Sequence, residues 1–485
     1  MKINLRLTAL SLALSLAPLL GASHRSAAHS NPNLAPTPPM GWNSWDSYGA
    51  AVREENVRAN ADYMAAHLAK YGWQYIVVDI QWYEPHAQGH EYRAGAALTM
   101  DQYGRLLPAE NRFPSAADGA GFKPLADYVH SKGLKFGIHI LRGIPRQAVA
   151  QNTPIAGSHY RAADIADKQS VCLWNTDMYG IDMSKPGAQD YYDSIVALYA
   201  SWGVDFIKAD DIARPFHGDE IAALHRAIVK SGRPMVLSLS PGPAPLAHAA
   251  ELEANAQMWR ISDDFWDDWK LLRQQFDYTR DWAKYIGNRD TWPDADMLPL
   301  GKLRITDKNG TGKTHFTPDE QQTVMTLWCI ARSPLIFGGD LPSLDPATLR
   351  LITNPDVIAV DQRSMNNHEA FHRGSIRAWV GDTPLWIAHR TIVSPTYIAV
   401  FNLGDTEQDV NLRWSELGLP TGSFPIFNLW RHKQMGASDG LRAHLPAHGS
   451  GLYRLQIGLP RAATIPVAEC SIPAACAPSR PADPR

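Results

Sequence analysis

Three apolar stretches of this sequence stop on carboxylates: "VVDIQW" at Asp79, "GVDFIKADDI" at Asp210 and Asp211, and "WRISDDFWDDW" at Asp263 and Asp264. Apolar runs bury themselves, so acids at their ends are held at the edge of a core. Two such acids flanking one bond carry out glycoside hydrolysis, one attacking the sugar carbon and the other protonating the leaving oxygen. Asp210 is one candidate, and either Asp263 or Asp264 is the other. Lys208 precedes Asp210 by two residues, which on a strand turns both side chains to one face. A cation there keeps Asp210 ionised and can donate to sugar hydroxyls. Any single aspartate after a strand is commonly a helix cap or turn former. Three strand ends carrying acids together, with Lys208 and Arg260 beside them, favour a site. The sixteen tryptophans agree only weakly, because Trp is usually core, although its flat face also stacks on sugar rings.

A second motif carries less. "HEAFH", His368 to His372, matches a zinc pattern that works only when both histidines share a helical face. It runs into "RGSIRAWV", where strands are expected to begin, so no helix and no metal site are expected there.

Strand ends need strands, and the pattern supplies them. Runs such as "YIVVDIQW", "GLKFGIHIL", "RPMVLSLS", "QMWRISDD" and "SPLIFGGD" alternate with amphipathic stretches such as "EENVRANADYMAAHLAKYG" and "HGDEIAALHRAIVKSG". Strands this apolar are covered on both faces, as in a parallel sheet wrapped by helices. About eight such units over about 320 residues predict a (β/α)₈ barrel, with reactive groups where strands pass into the following loops. After Asp361 the pattern becomes short alternating strands between Gly, Asn, Asp and Pro turns, starting at about Ser375, which predicts an antiparallel β-sandwich. The expected division is 1–28 leader, 29–37 linker, 38–362 barrel, 363–458 sandwich and 459–485 tail.

The chain has 485 residues, 45 % of them hydrophobic, and a formal net charge of −3 with no basic stripe. Nucleic acid and anionic membrane are therefore not expected partners, and a neutral substrate is. Lys2 and Arg6, the run "LTALSLALSLAPLL" and the small residues from Gly21 to Ala28 read as a secretory signal. The mature protein is thus expected to be secreted or periplasmic, with no membrane span. Of four cysteines, Cys172 and Cys329 stand alone, while Cys470 and Cys476 are spaced to close a small loop in the tail.

Taken together, "PPMGWNSWDSYG", "YIVVDIQW", "DFIKADD", "WRISDDFWDDW", "WPDADMLPLG" and "FTPDEQQTVMTLWCIARSPLIFGGDL" resemble glycoside hydrolase family 27, the α-galactosidase and α-N-acetylgalactosaminidase family. The resemblance runs from about Pro38 to Gln456. It implies a retaining exo-glycosidase that needs no metal or cofactor and acts on an oligosaccharide or glycoconjugate. Terminal α-galactose is the first expectation; α-N-acetylgalactosaminide and β-L-arabinopyranoside are the alternatives, and a non-catalytic carbohydrate-binding protein is the rival of another class. Position by position it implies Asp210 as nucleophile and Asp264, four residues after Arg260, as acid/base. Trp45 would stack on the sugar, and Asp79, Lys208 and Arg260 would hold its hydroxyls. Aligning "LSLSPGPA" on the loop after the fifth strand sets Ser240 opposite carbon 2 of the sugar, where a Ser leaves room for an acetamido group. Asp264 is expected to be less solvated than Asp210. Two departures stand out: Ile80 and Gln81 follow Asp79 where the family usually has Asp and Cys, and the cysteines that often join the third and fourth strand ends are replaced by "HILRG" and "DDI".

Overall fold

The computed structural model describes residues 34–307, 312–383, 386–388 and 391–458. The expected signal sequence, most of the linker, and the tail with Cys470 and Cys476 lie outside the described residues.

Eight strands form one parallel sheet: β1 (Met40–Asn43), β2 (Tyr75–Val78), β3 (Lys135–Leu141), β4 (Phe206–Asp210), β5 (Val236–Leu239), β6 (Met258–Arg260), β7 (Trp292–Asp294) and β8 (Leu335–Phe337). Each pairs with its neighbour in sequence, and β8 returns to β1. The remaining edge, between β7 and β8, is closed beyond β7 by Leu298, whose N–H donates to the Ile336 carbonyl at 2.7 Å and whose carbonyl accepts from Gly338 at 3.0 Å. One place on the circle is therefore a loop seam.

Period-two alternation sorts the side chains. Ile76, Val78, Ile207, Ala209, Leu237, Leu239 and Trp259 face outward into the core shared with the helices, while Tyr75, Val77, Phe206, Val236, Met258, Trp292 and Ile336 fill the barrel floor. Continuing inward positions by two reaches Asp79, His139, Lys208, Asp210 and Arg260. Gly41 belongs to the floor as well: a Cβ there would fall 2.6 Å from Tyr75 Cβ and 2.7 Å from its carbonyl oxygen, so only glycine lets β1 pair this closely with β2.

Helices α1 (Glu54–Tyr63), α2 (Lys123–Ser131), α3 (Ala188–Trp202), α4 (Gly218–Ser231), α5 (Ala249–Asn255), α6 (Trp269–Trp282), α7 (Pro318–Ile330) and α8 (Pro355–Arg363) follow the eight strands in turn. Thr317 and Glu320 cap α7 reciprocally. The long connection after β3 carries a small three-stranded sheet over 144–145, 166–171 and 178–181.

Antiparallel strands then take over, from β9 (Met365–Arg373) and β10 (Ile376–Asp382) to the last strand, Ser450–Gly458. The first begins ten residues before the expected start, because its outward residues are polar and read as a loop. A seven-stranded sheet and the pair Gln408–Arg413 with Gly440–Leu445 enclose a separate apolar core that includes Val380, Ile398, Leu412, Leu441 and Leu455. This unit sits against α7: Gln322 donates to the Ser450 carbonyl at 2.8 Å and Thr323 to the His448 carbonyl at 2.7 Å. Among the described residues no helix is long and apolar enough to cross a membrane.

Candidate active site

Where the inward-facing polar side chains end, a cavity of about 530 Å³ opens, lined by Trp45, Asp79, Ile80, Tyr92, Trp174, Lys208, Asp210, Asp264 and others. Its position at the C-terminal ends of the strands is where barrels of this kind keep their chemistry.

The floor is a charged lattice. Asp79 is buried and accepts from Lys208 Nζ at 2.9 Å and from Asn43 Nδ2 at 2.7 Å. Burial works against its ionisation, but Lys208, His139 and the Asn43 hydrogen bond hold it below the usual carboxylate range. Asp210 accepts from His139 Nε2 at 3.1 Å and from the Asp211 amide at 2.8 Å. Burial would raise its pKa as well. The His139 contact, Lys208 and the Asp211 amide outweigh it and leave the carboxyl well below its ordinary value. Lys208 therefore pairs directly with Asp79, and the direct hydrogen bond to Asp210 comes from His139. The histidine stands in register with Lys208 on the neighbouring strand. Its position inside "KFGIHIL", inward by two from Gly137, was the available sequence signal.

Asp264 differs from the expectation. Its side chain is 61 % exposed against 15 % for Asp210, making it the more solvated of the two. The reason is reach: Asp210 is the last residue of β4, whereas Asp264 lies four residues past the end of β6, on the loop at the cavity mouth. Arg260 approaches it at 3.3 Å, and Arg260 is itself buried and 2.7 Å from Asp296. Burial opposes the guanidinium charge, yet Asp296 and Asp264 raise its pKa above normal. Asp263, the other sequence candidate, also lines the mouth but is paired with Arg214 at 2.6 Å.

Trp45 lies in the lining as expected, within a chain of rings that the sequence reading missed. Trp174 meets Tyr92 at 5.5 Å, Tyr92 stacks on Trp45 at 5.8 Å, Trp45 meets His90 at 5.0 Å, and His90 meets Trp266 at 5.6 Å. Nothing in the spacing of these residues announces the arc, since they come from four separate loops.

Ser240 is not brought into the cavity. It is 1 % exposed, its Oγ has no hydrogen-bond partner, and Pro241 takes the place in the lining. It lies one residue past β5 and is tied to the end of β4, its amide donating to the Ala209 carbonyl at 2.9 Å and its carbonyl accepting from the Ile212 and Ala213 amides at 3.1 and 3.2 Å. Of the two departures after Asp79, Ile80 lines the cavity while Gln81 turns away to donate to Asp177 at 2.7 Å. Where the family often joins the third and fourth strand ends with cysteines, Arg142 pairs with Asp211 at 3.0 Å and with Glu220 at 3.1 Å. "HEAFH" lies within strand β9, and among the described residues no cluster of His, Cys, Asp and Glu is arranged to hold a metal ion.

The chain is similar to known proteins along most of its length. The family model for alpha galactosidase A matches residues 37–185 and 181–363, and the model for the alpha galactosidase C-terminal beta sandwich domain matches residues 379–455. An α-galactosidase of Coffea arabica is 30 % identical over 87 % of this chain and 94 % of its own. A GH27 β-L-arabinopyranosidase of Geobacillus stearothermophilus is 50 % identical with a TM-score of 0.84, covering 89 % of this chain and 98 % of its own. A putative α-N-acetylgalactosaminidase of Bacillus halodurans is 49 % identical with a TM-score of 0.76, over 86 % of this chain and 97 % of its own.

Proposed function

The chain belongs to glycoside hydrolase family 27, the α-galactosidase family, and on that premise we propose that it is an exported retaining exo-glycosidase whose preferred substrate is a terminal β-L-arabinopyranoside. Asp210, fixed and ionised, attacks the anomeric carbon while Asp264 protonates the leaving oxygen. Asp264 then takes a proton from the water that releases the sugar from Asp210. The exposure of Asp264 suits this exchange with solvent. Lys208 and Asp79 bind ring hydroxyls from below, and Trp45 covers the apolar face of the ring. Export is supported by the leader-like run that precedes the linker.

The sugar preference is carried by Ile80 in the cavity lining. L-Arabinopyranose in this configuration is galactopyranose without its exocyclic CH₂OH. An aspartate beside Asp79 offers an acceptor to one more hydroxyl, and an isoleucine offers none. A hydroxyl buried there without a partner costs about 1–3 kcal/mol, roughly 5- to 150-fold in rate. The 50 % identity to a β-L-arabinopyranosidase supports the same choice. The acetamido alternative loses the serine on which it rested.

The test is the ratio of kcat/KM for nitrophenyl β-L-arabinopyranoside and nitrophenyl α-D-galactopyranoside. We expect the wild type to favour the arabinoside at least fivefold and Ile80→Asp to move the ratio toward the galactoside by at least as much. A wild type that prefers the galactoside, with a ratio indifferent to Ile80→Asp, would overturn the preference.

A further inference from the structure

Asp296 lies in the barrel's seam, two residues beyond β7 and two before Leu298, and is 3 % exposed. Its φ is +86°, a backbone conformation that favours glycine, yet an aspartate occupies it. Its N–H donates to Asp294 Oδ1 at 2.9 Å, and its carbonyl accepts from the Trp328 indole at 2.8 Å, so the conformation is held from both sides. Strain held this firmly next to a site is a reason to ask what the side chain does.

The side chain makes two contacts at 2.7 Å. One carboxylate oxygen faces Arg260 Nη1 and the other accepts from the Phe265 amide. These contacts bracket Asp264: Arg260 is four residues before it, and Phe265 is the next residue. Asp264 has little else to fix it. Its exposed side chain meets Arg260 at 3.3 Å, and its amide donates to Asp263 Oδ1 at 3.0 Å.

We infer that Asp296 is the positioning residue for Asp264, holding the Arg260 guanidinium and the Phe265 amide so that the exposed carboxyl is aimed at the leaving oxygen. This rests on the assignment of Asp264 as acid/base. The two distances carry the argument: Arg260 leans toward the buried carboxylate, and its pairing with Asp264 is the looser one. A loosely paired Asp264 can be protonated from solvent and can give that proton up. Without the Asp296 carboxylate, the guanidinium keeps only Asp264 as a close carboxylate partner. It would then hold Asp264 ionised and out of line, so proton donation fails while nucleophilic attack by Asp210 remains.

Leaving-group dependence separates this role from a structural one. A dinitrophenolate departs without a proton, whereas a methoxide does not, and kcat/KM reports the step that forms the glycosyl-enzyme. For Asp296→Asn we expect kcat/KM on the methyl glycoside of the preferred sugar to fall about 100-fold, the scale of general acid catalysis, and on the dinitrophenyl glycoside less than about tenfold. Asp264→Asn should show the same pattern more strongly. Equal losses on both substrates in Asp296→Asn, with the pattern intact in Asp264→Asn, would overturn the positioning role alone. Equal losses in Asp264→Asn would remove the acid/base assignment and this inference with it. Should Asp296→Asn not fold, Asp296→Glu keeps the charge one methylene too far out. Unequal losses in that variant support the role, and equal losses overturn it.

Discussion

At the end of β4 a cation precedes a carboxylate by two residues, Lys208 then Asp210; past the end of β6 a cation precedes one by four, Arg260 then Asp264. In each case a basic residue leads to an acid, but the surroundings diverge. Asp210 is enclosed by His139, the Asp211 amide and the charge of Lys208, and it is stabilised as an anion. Asp264 stands at the mouth beside a guanidinium already committed to Asp296. An attacking group profits from a permanent charge and a fixed direction, whereas a group that both donates and accepts a proton needs access to water. On the proposed assignment the same pairing of residue types serves two tasks, separated by burial and by the distance to the nearest donors.

The contrast can be broken most severely at Asp210. Asp210→Asn should reduce kcat by about 10⁴-fold, roughly 5–6 kcal/mol of barrier, with thermal unfolding nearly unchanged. A variant retaining a tenth of the activity would end the assignment.

His139→Leu sharpens the same contrast at smaller scale, with kcat/KM expected to fall about 10- to 100-fold, as for loss of a hydrogen bond to a buried charge. Because His139 favours the ionised form of Asp210, its removal raises the carboxyl pKa, and the acidic limb of the pH–kcat/KM profile should move to higher pH. His139→Gln, which keeps a donor, should recover part of both effects. An unmoved acidic limb in His139→Leu would show that the hydrogen bond does not set the charge of Asp210.

The smallest expected effect concerns the rigidity of the β4 end. Burial, with Arg142 opposing and Asp210 adding, pushes Asp211 up to about 6. A carboxyl raised in the folded state binds its proton more tightly there than in the unfolded chain. It therefore contributes stability at low pH and loses that contribution as pH rises from about 4 to about 6. Asp211→Asn has no such proton to lose. Its Tm relative to wild type should rise by a few degrees between pH 4 and pH 7. A difference that stays flat would show that Asp211 is not strained by burial.

Much of this molecule was legible before any coordinates. Period-two runs that end on acids pointed to inward-facing strands, to Asp79 and Asp210, and to Asp263 or Asp264, because alternation is a local property of an extended chain; the family resemblance chose Asp264. The loops were less legible. His139 looked like one polar residue in an apolar strand, and the loop with His90 and Tyr92 is far in sequence from Trp45, Trp174 and Trp266, so only closure of the barrel makes them neighbours. Ser240 shows a different limit: position along the chain did not reveal that backbone hydrogen bonds to Ala209, Ile212 and Ala213 tuck the residue against the end of β4, where it is buried behind the lining.

The sequence by itself determined six of the eight barrel strands, all but β1 and β7, the switch to antiparallel strands after α8, and the types of group available for chemistry, because apolar periodicity and turn residues act over a few neighbours. Tertiary structure alone decided which carboxylate is buried and which meets water, that Lys208 pairs with Asp79 while His139 bonds to Asp210, and that Asp296 meets Arg260 and the Phe265 amide. Those outcomes depend on desolvation and on distances of a few ångströms between residues from different strands. Both quantities come into being only when the sheet closes.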